Sequence, residues 1–179
     1  MNSSETIVLA GGCFWCTEAV FKQVRGVLDV ESGYSNGQAT APTYEQVCTG
    51  ATGCAEVVKL VYHQAQISTR QILEIFFLVH DPTQLNRQGH DVGTQYRSGI
   101  YYSTPEQASL AHELIREMCQ DGLHDGAIVT EVAPLAHYFP AEDYHQDFFE
   151  RNPTQAYCVA TAGPKVAKFR QTFRDLVKA

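Results

Sequence analysis

The order of apolar segments predicts a mixed α/β (α+β) fold: a ferredoxin-like two-layer sandwich with a split βαβ core. Two observations carry this. Up to Ser103 the segments run strand, helix, strand, strand, helix, strand. And 179 residues, 44% of them hydrophobic, suffice for one substantial core but hardly for two. A single domain over residues 1–179 is therefore expected, with extra loops and C-terminal helices.

Each element has its own signal. Residues 6–10 (TIVLA) are a short apolar run stopped by Gly11-Gly12, a strand and its turn. Residues 14–23 read as a helix with Gly26 beyond it, and residues 27–32 as a strand closed by Gly33. A polar loop spans 35–53, and a third strand 55–63. Ser68 is a good N-cap for a helix through Val79. After a loop over 80–96, residues 97–103 form a strand, and Thr104-Pro105 opens a helix with Leu110, Ala111, Leu114, Ile115 and Met118 on one face. A strand is expected at 127–132, a helix at 141–151, and a last helix at 164–177, where Val166, Phe169, Phe173 and Leu176 recur at helical spacing.

Charge narrows the function. Thirteen basic residues against 20 acidic ones give a net charge of −7, a field that repels phosphate backbones and anionic lipid. No nucleic acid or membrane partner is expected. No apolar run nears the roughly 20 residues that span a bilayer, and the start Met1-Asn2-Ser3-Ser4-Glu5 lacks a leader's basic and apolar regions. The chain reads as soluble, cytoplasmic and monomeric. Its six cysteines (Cys13, Cys16, Cys48, Cys54, Cys119, Cys158) are too sparse for a disulfide scaffold and should be thiols in a reducing compartment.

Three features carry chemistry. First, Gly11-Gly12-Cys13-Phe14-Trp15-Cys16 lies where a strand turns into a helix. There the helix dipole favours a thiolate, and two glycines give access to the sulfur. Phe14 and the only Trp stand beside it, a costly choice at an exposed turn unless an apolar group docks. Cys13 and Cys16 also make a C-x-x-C pair, open to a thioredoxin-type redox reading. Zinc is disfavoured, because the next pair, Cys48 and Cys54, is separated by five residues. Second, two-residue alternation puts Glu56 on one strand face with Val58, Leu60 and Tyr62. A carboxyl on an apolar face should hold its proton near neutrality. Third, the loop over 80–96 is too long and polar to be a mere connection. A nucleophilic thiol, an aromatic wall and a neutral acid suit a substrate with a small apolar end and an oxygen that leaves protonated.

These residues resemble the A-type peptide methionine sulfoxide reductases. The likeness runs through Gly12-Cys13-Phe14-Trp15, Gly33-Tyr34, residues 44–47, Thr52-Gly53 with Ala55-Glu56-Val57, Gly89 with Asp91 and Gly93-Thr94-Gln95-Tyr96-Arg97, and Tyr144-His145-Gln146. The resemblance implies that Cys13 attacks the sulfoxide sulfur, Phe14 and Trp15 hold the substrate methyl, and Glu56 protonates the oxygen, assisted by Tyr44 and Tyr96. Asp91 belongs to the hydrogen-bond network there. Cys13 is left as a sulfenic acid, which Cys158 resolves to a disulfide that thioredoxin reduces. The substrate is methionine-S-sulfoxide, free or in proteins, and no metal or organic cofactor is implied. Cys54 stands where the family usually has His, His90 where it has Asn, and Cys16 where Gly is common; Cys16 and Cys54 are alternative resolving thiols. The rival functions are a thioredoxin-like oxidoreductase using Cys13 and Cys16, a non-enzymatic binder of an apolar group, and a cysteine hydrolase with His145 as base.

Overall fold

The computed structural model describes residues 3–179; Met1 and Asn2, part of the start read for a leader, lie outside them. The first strand, β1 (Ser4–Gly11), leads into α1 (Phe14–Phe21) and β2 (Val27–Ser35). Then come a short α2 (Tyr44–Cys48), β3 (Ala55–His63) and α3 (Thr69–Val79). A two-residue hairpin, β4 (Arg87–Gln88) and β5 (Asp91–Val92), precedes β6 (Ser98–Tyr102) and α4 (Pro105–Asp121). The chain ends through β7 (Glu131–Pro134), β8 (Phe139–Pro140), α5 (Phe148–Arg151) and α6 (Gly163–Thr172).

The sheet order is β7-β6-β1-β3-β2-β8. Its four central strands, β6-β1-β3-β2, pair antiparallel throughout, which is the split βαβ arrangement expected from the segment order. β7 extends one edge in parallel to β6, and β8 extends the other against Gly33 and Tyr34. The strand expected at 127–132 lies at Glu131–Pro134, since only those residues reach β6.

The helices cover one face. α3 starts with a full capping box, Ser68 with Gln71, and buries Ile72, Leu73, Ile75 and Phe76. α4 buries Ala111, Leu114 and Met118, as its spacing predicts, and stops at left-handed Gly122. α1 is buried on nearly every side, which makes it the element the others pack around. Two expected helices are broken. Residues 141–151 hold a 3-10 turn, Asp143–His145, then α5, because Asp147 is left-handed at φ 56. The last helix ends at Thr172, where Phe173 leaves helical geometry, and a 3-10 turn at Arg174–Leu176 carries Leu176 back into the core. Among the described residues no helix is long and apolar enough to cross a membrane.

Candidate active site

Cys13 is the N-cap of α1, directly after Gly12, whose φ of 91 makes the tight turn out of β1. A Cβ on Gly12 would lie 2.7 Å from the Gln88 side chain, so the β4–β5 hairpin closes over this turn. The access expected from two glycines is therefore narrow: Cys13 keeps only 8% of its surface. The expected thiolate is also overturned. Burial, then Glu56, then Cys16 push the Cys13 thiol well above its ordinary range; the Trp15 backbone N–H and the Tyr157 hydroxyl pull the other way and lose. The helix end has the predicted sign, but desolvation outweighs it.

Glu56 meets the same helix end. Its Oε1 accepts the Phe14 backbone N–H at 3.1 Å, and the residue is 1% exposed beside Val58, Leu60 and Tyr62, the face that alternation gave it. Burial pushes its carboxyl up to about 8, against the Phe14 hydrogen bond and helped by Asp91. Its Oε2 is buried and has no partner among the described residues. A neutral acid thus stands next to a neutral thiol with one oxygen uncommitted.

The phenols gather round this pair. Tyr44 opens α2, placed by the Thr43–Gln46 capping box and by Glu142, which accepts its N–H at 2.9 Å. Tyr96 ends a 3-10 turn launched from Gly93 at φ 146, where a Cβ would collide with Gln95 at 2.2 Å. Both hydroxyls are raised, by burial first and by Glu56 second. Asp91, on β5, accepts the Tyr157 hydroxyl at 2.6 Å, and Tyr157 in turn accepts the Cys16 thiol at 3.6 Å.

The aromatic wall is layered. Phe14 is 1% exposed and packs on Tyr34 and His145. Trp15, half-buried, stacks on Phe148 with centroids 3.7 Å apart and planes 5° apart, and Tyr157 meets its edge. Its indole N–H donates to His145 Nδ1 at 3.0 Å. His145 Nε2 therefore carries the ring proton.

The sequence profile of the family described as "Peptide methionine sulfoxide reductase" matches residues 5–177. This chain belongs to that family. A "Peptide methionine sulfoxide reductase MsrA" of Saccharolobus solfataricus is 52% identical over 174 residues, covering 97% of each chain. The namesake of Polynucleobacter asymbioticus is 49% identical over 97% of this chain and 91% of its own. Among solved structures, reduced Mxr1 of Saccharomyces cerevisiae superposes with a TM-score of 0.79 at 32% identity, over 87% of this chain and 90% of that one. Methionine sulfoxide reductase A of Corynebacterium diphtheriae gives 0.76 at 36%, over 86% and 77%.

In this member of the reductase family Cys158, the expected resolving thiol, is fully buried, opens a π-helical turn, Cys158–Ala162, and donates its N–H to Gln155. Cys54, also buried, packs under Gly37, where a Cβ would fall 2.4 Å from its Sγ. Sequence reasoning missed Tyr157, Glu142 and Glu18, and weighed His145 only as a hydrolase base. Glu18 is 1% exposed on α1 and accepts the N–H groups of Asp147 and Phe148 at 3.1 and 3.3 Å. No local pattern announces these residues, since Tyr157 reaches Asp91 across 66 positions, Glu142 reaches Tyr34 and Tyr44 across 108 and 98, and Glu18 reaches Asp147 and Phe148 across 129 and 130; only the Tyr144-His145-Gln146 motif marks the neighbourhood. Among the described residues no group of three His, Cys, Asp or Glu could hold a metal ion.

Proposed function

We propose that the protein reduces methionine-S-sulfoxide, free or within proteins, to methionine. The observation that carries this reading is Glu56 Oε2, buried beside the Cys13 thiol with no partner among the described residues. An unpaired buried acid oxygen is costly unless a substrate atom completes it. A sulfoxide oxygen does so. As it takes the Glu56 proton, Cys13 Sγ attacks the sulfur, and the thiol's own proton restores Glu56. The sulfur–oxygen bond breaks, methionine leaves, and Cys13 keeps the oxygen as a sulfenic acid. Tyr44 and Tyr96 donate to the same oxygen, and Asp91 fixes Tyr157. Phe14 and Trp15 supply the apolar surface for the methyl. A second thiol then expels the oxygen as water and forms a disulfide. Cys158 is the resolving thiol that the family resemblance implies. Thioredoxin is the reductant that reopens the disulfide. A thiol cycle of this kind fits a reducing compartment such as the cytoplasm.

One turnover without reductant tests the reading. Given one equivalent of sulfoxide per chain, the protein should release one methionine, Cys13→Ser none, and Glu56→Gln methionine at a rate lower by about two to four orders of magnitude, the scale of a lost general acid. Methionine release by Cys13→Ser would overturn the assignment.

A further inference from the structure

We propose that Cys16 is the thiol that first captures oxidised Cys13, and that Tyr157 and Asp91 take up its proton. The inference rests on the sulfenic acid proposed above and deepens it by naming the next bond.

Position comes first. Cys13 is the N-cap of α1 and Cys16 its third residue, with the Cys16 N–H donating to the Cys13 carbonyl at 3.1 Å. In two other helices of this protein, the same spacing folds the third residue's side chain back onto the N-cap: Gln46 onto Thr43, and Gln71 onto Ser68. Residues three apart on a helix hold their Cβ atoms about 5–6 Å apart, and a disulfide needs about 3.5–4.5 Å. Cys13, at φ −58 and ψ 127, lies outside the helix, so its Cβ is not held at that helical separation.

Proton transfer comes second. A thiol must lose its proton to attack, and Cys16 is 1% exposed, so water does not take it. The structure supplies a route: Cys16 Sγ–H donates to Tyr157 Oη at 3.6 Å, and Tyr157 O–H donates to Asp91 Oδ2 at 2.6 Å. As the Cys16 sulfur bonds to the Cys13 sulfur, its proton moves to Tyr157 and that of Tyr157 to Asp91. The Cys13 sulfur–oxygen bond breaks, and the hydroxyl leaves as water with a proton from Glu56. Two sulfurs are joined, one water is released, and both carboxyls re-equilibrate with solvent.

The other thiols are worse placed. Cys158 is fully buried in the π-helical turn Cys158–Ala162 with its N–H held by Gln155, whereas Cys16 shares the first turn of α1 with Cys13. Cys158 takes the disulfide in a second exchange, with Cys16, which frees the Cys13 thiol. Cys54 is packed away under Gly37.

Acid-quenched single turnover with methionine sulfoxide, followed by alkylation and peptide mapping, decides this. The native chain should form a Cys13–Cys16 disulfide before any bond to Cys158, and Cys158→Ser should accumulate it. Cys16→Ser should release methionine and stop at a sulfenic acid that dimedone traps. Methionine release with Cys13–Cys158 as the first disulfide, or disulfide closure in Cys16→Ser at the native rate, would overturn this step alone. No methionine from the native chain would overturn the underlying reaction as well.

Discussion

Cys13 and Glu56 are both uncharged at neutral pH, for one reason: each is buried where its charged form is poorly solvated. The two titrations are coupled, since a charged Glu56 pushes the thiol higher still. On the proposed mechanism, turnover needs the acid to keep its proton. Single-turnover methionine release should be level below neutrality and fall as pH rises through about 8, where Glu56 ionises. Stopped-flow rates across that range check it, and a rate that climbs steadily through pH 9 would contradict it. Stability follows the same group. Its folded value, about 8, exceeds the ordinary 4.5, so the neutral form is the one the fold accommodates. Its contribution is fully present below about 4.5 and is lost as pH rises towards 8. Glu56→Gln, which cannot ionise, should melt higher than the native chain above pH 8, by the equivalent of a few kcal/mol, with the gap closing towards pH 4. Glu56 was legible from alternation alone, because a strand's two-residue period fixes its face. The charge state of Cys13 was not. The helix end is visible in sequence, but the Gln88 hairpin that dries the turn comes from 75 positions away.

At the scale of elements, a buried carboxyl on α1 organises its neighbour. Glu18 accepts the Asp147 and Phe148 N–H groups and the Ser32 hydroxyl, capping α5 from outside it. Phe148 is the ring on which Trp15 stacks, so this cap fixes one side of the aromatic wall. Glu18→Ala leaves the two N–H groups without partners and should cost about 1–3 kcal/mol. Because Trp15 is the only tryptophan, its fluorescence reports the wall directly. The variant should shift that emission towards the solvent-exposed value and raise KM, while Glu18→Gln, which keeps an acceptor, should restore much of both. Unchanged emission in Glu18→Ala would show the stack to stand without its cap. The same region explains the broken helix. Residues 141–151 carry helical apolar spacing, but Pro140 pairs with β2, and Asp147 turns left-handed to present its N–H to Glu18. A tertiary partner overrides local periodicity there, whereas α3 and α4, capped by Ser68 and Thr104 from within their own sequence, were readable.

The whole molecule separates chemistry from closure by using the two faces of one sheet. The helical face carries Leu9, Val58 and Leu60 and ends at Cys13 and Glu56. The opposite face gathers Val8, Ala10, Ala55, Val57 and Tyr101, and it is covered by half-buried Ala133 of β7 and by Leu135 and Tyr138 from the chain between β7 and β8. Segment order revealed the helical face; this thin cover, with no periodicity of its own, was not visible. Tyr138 pins it: its hydroxyl donates to Glu31 at 2.6 Å, Lys59 Nζ lies 5.0 Å from its ring centre, and a Cβ on Gly33 would strike that ring at 2.6 Å. Removing a half-buried ring should cost about 2 kcal/mol, below the range for a fully buried aromatic. For a chain of this size that corresponds to a Tm lower by roughly 5 °C. Since Tyr138 lies across the sheet from Cys13, Tyr138→Ala should still release one methionine per chain in a single turnover, with native Trp15 emission. Calorimetry paired with that assay reads both faces at once. A lost turnover with intact Trp15 emission would mean that the two faces are coupled through Gly33 and Tyr34, the β2 residues that lie against Tyr138 on one side and Phe14 on the other.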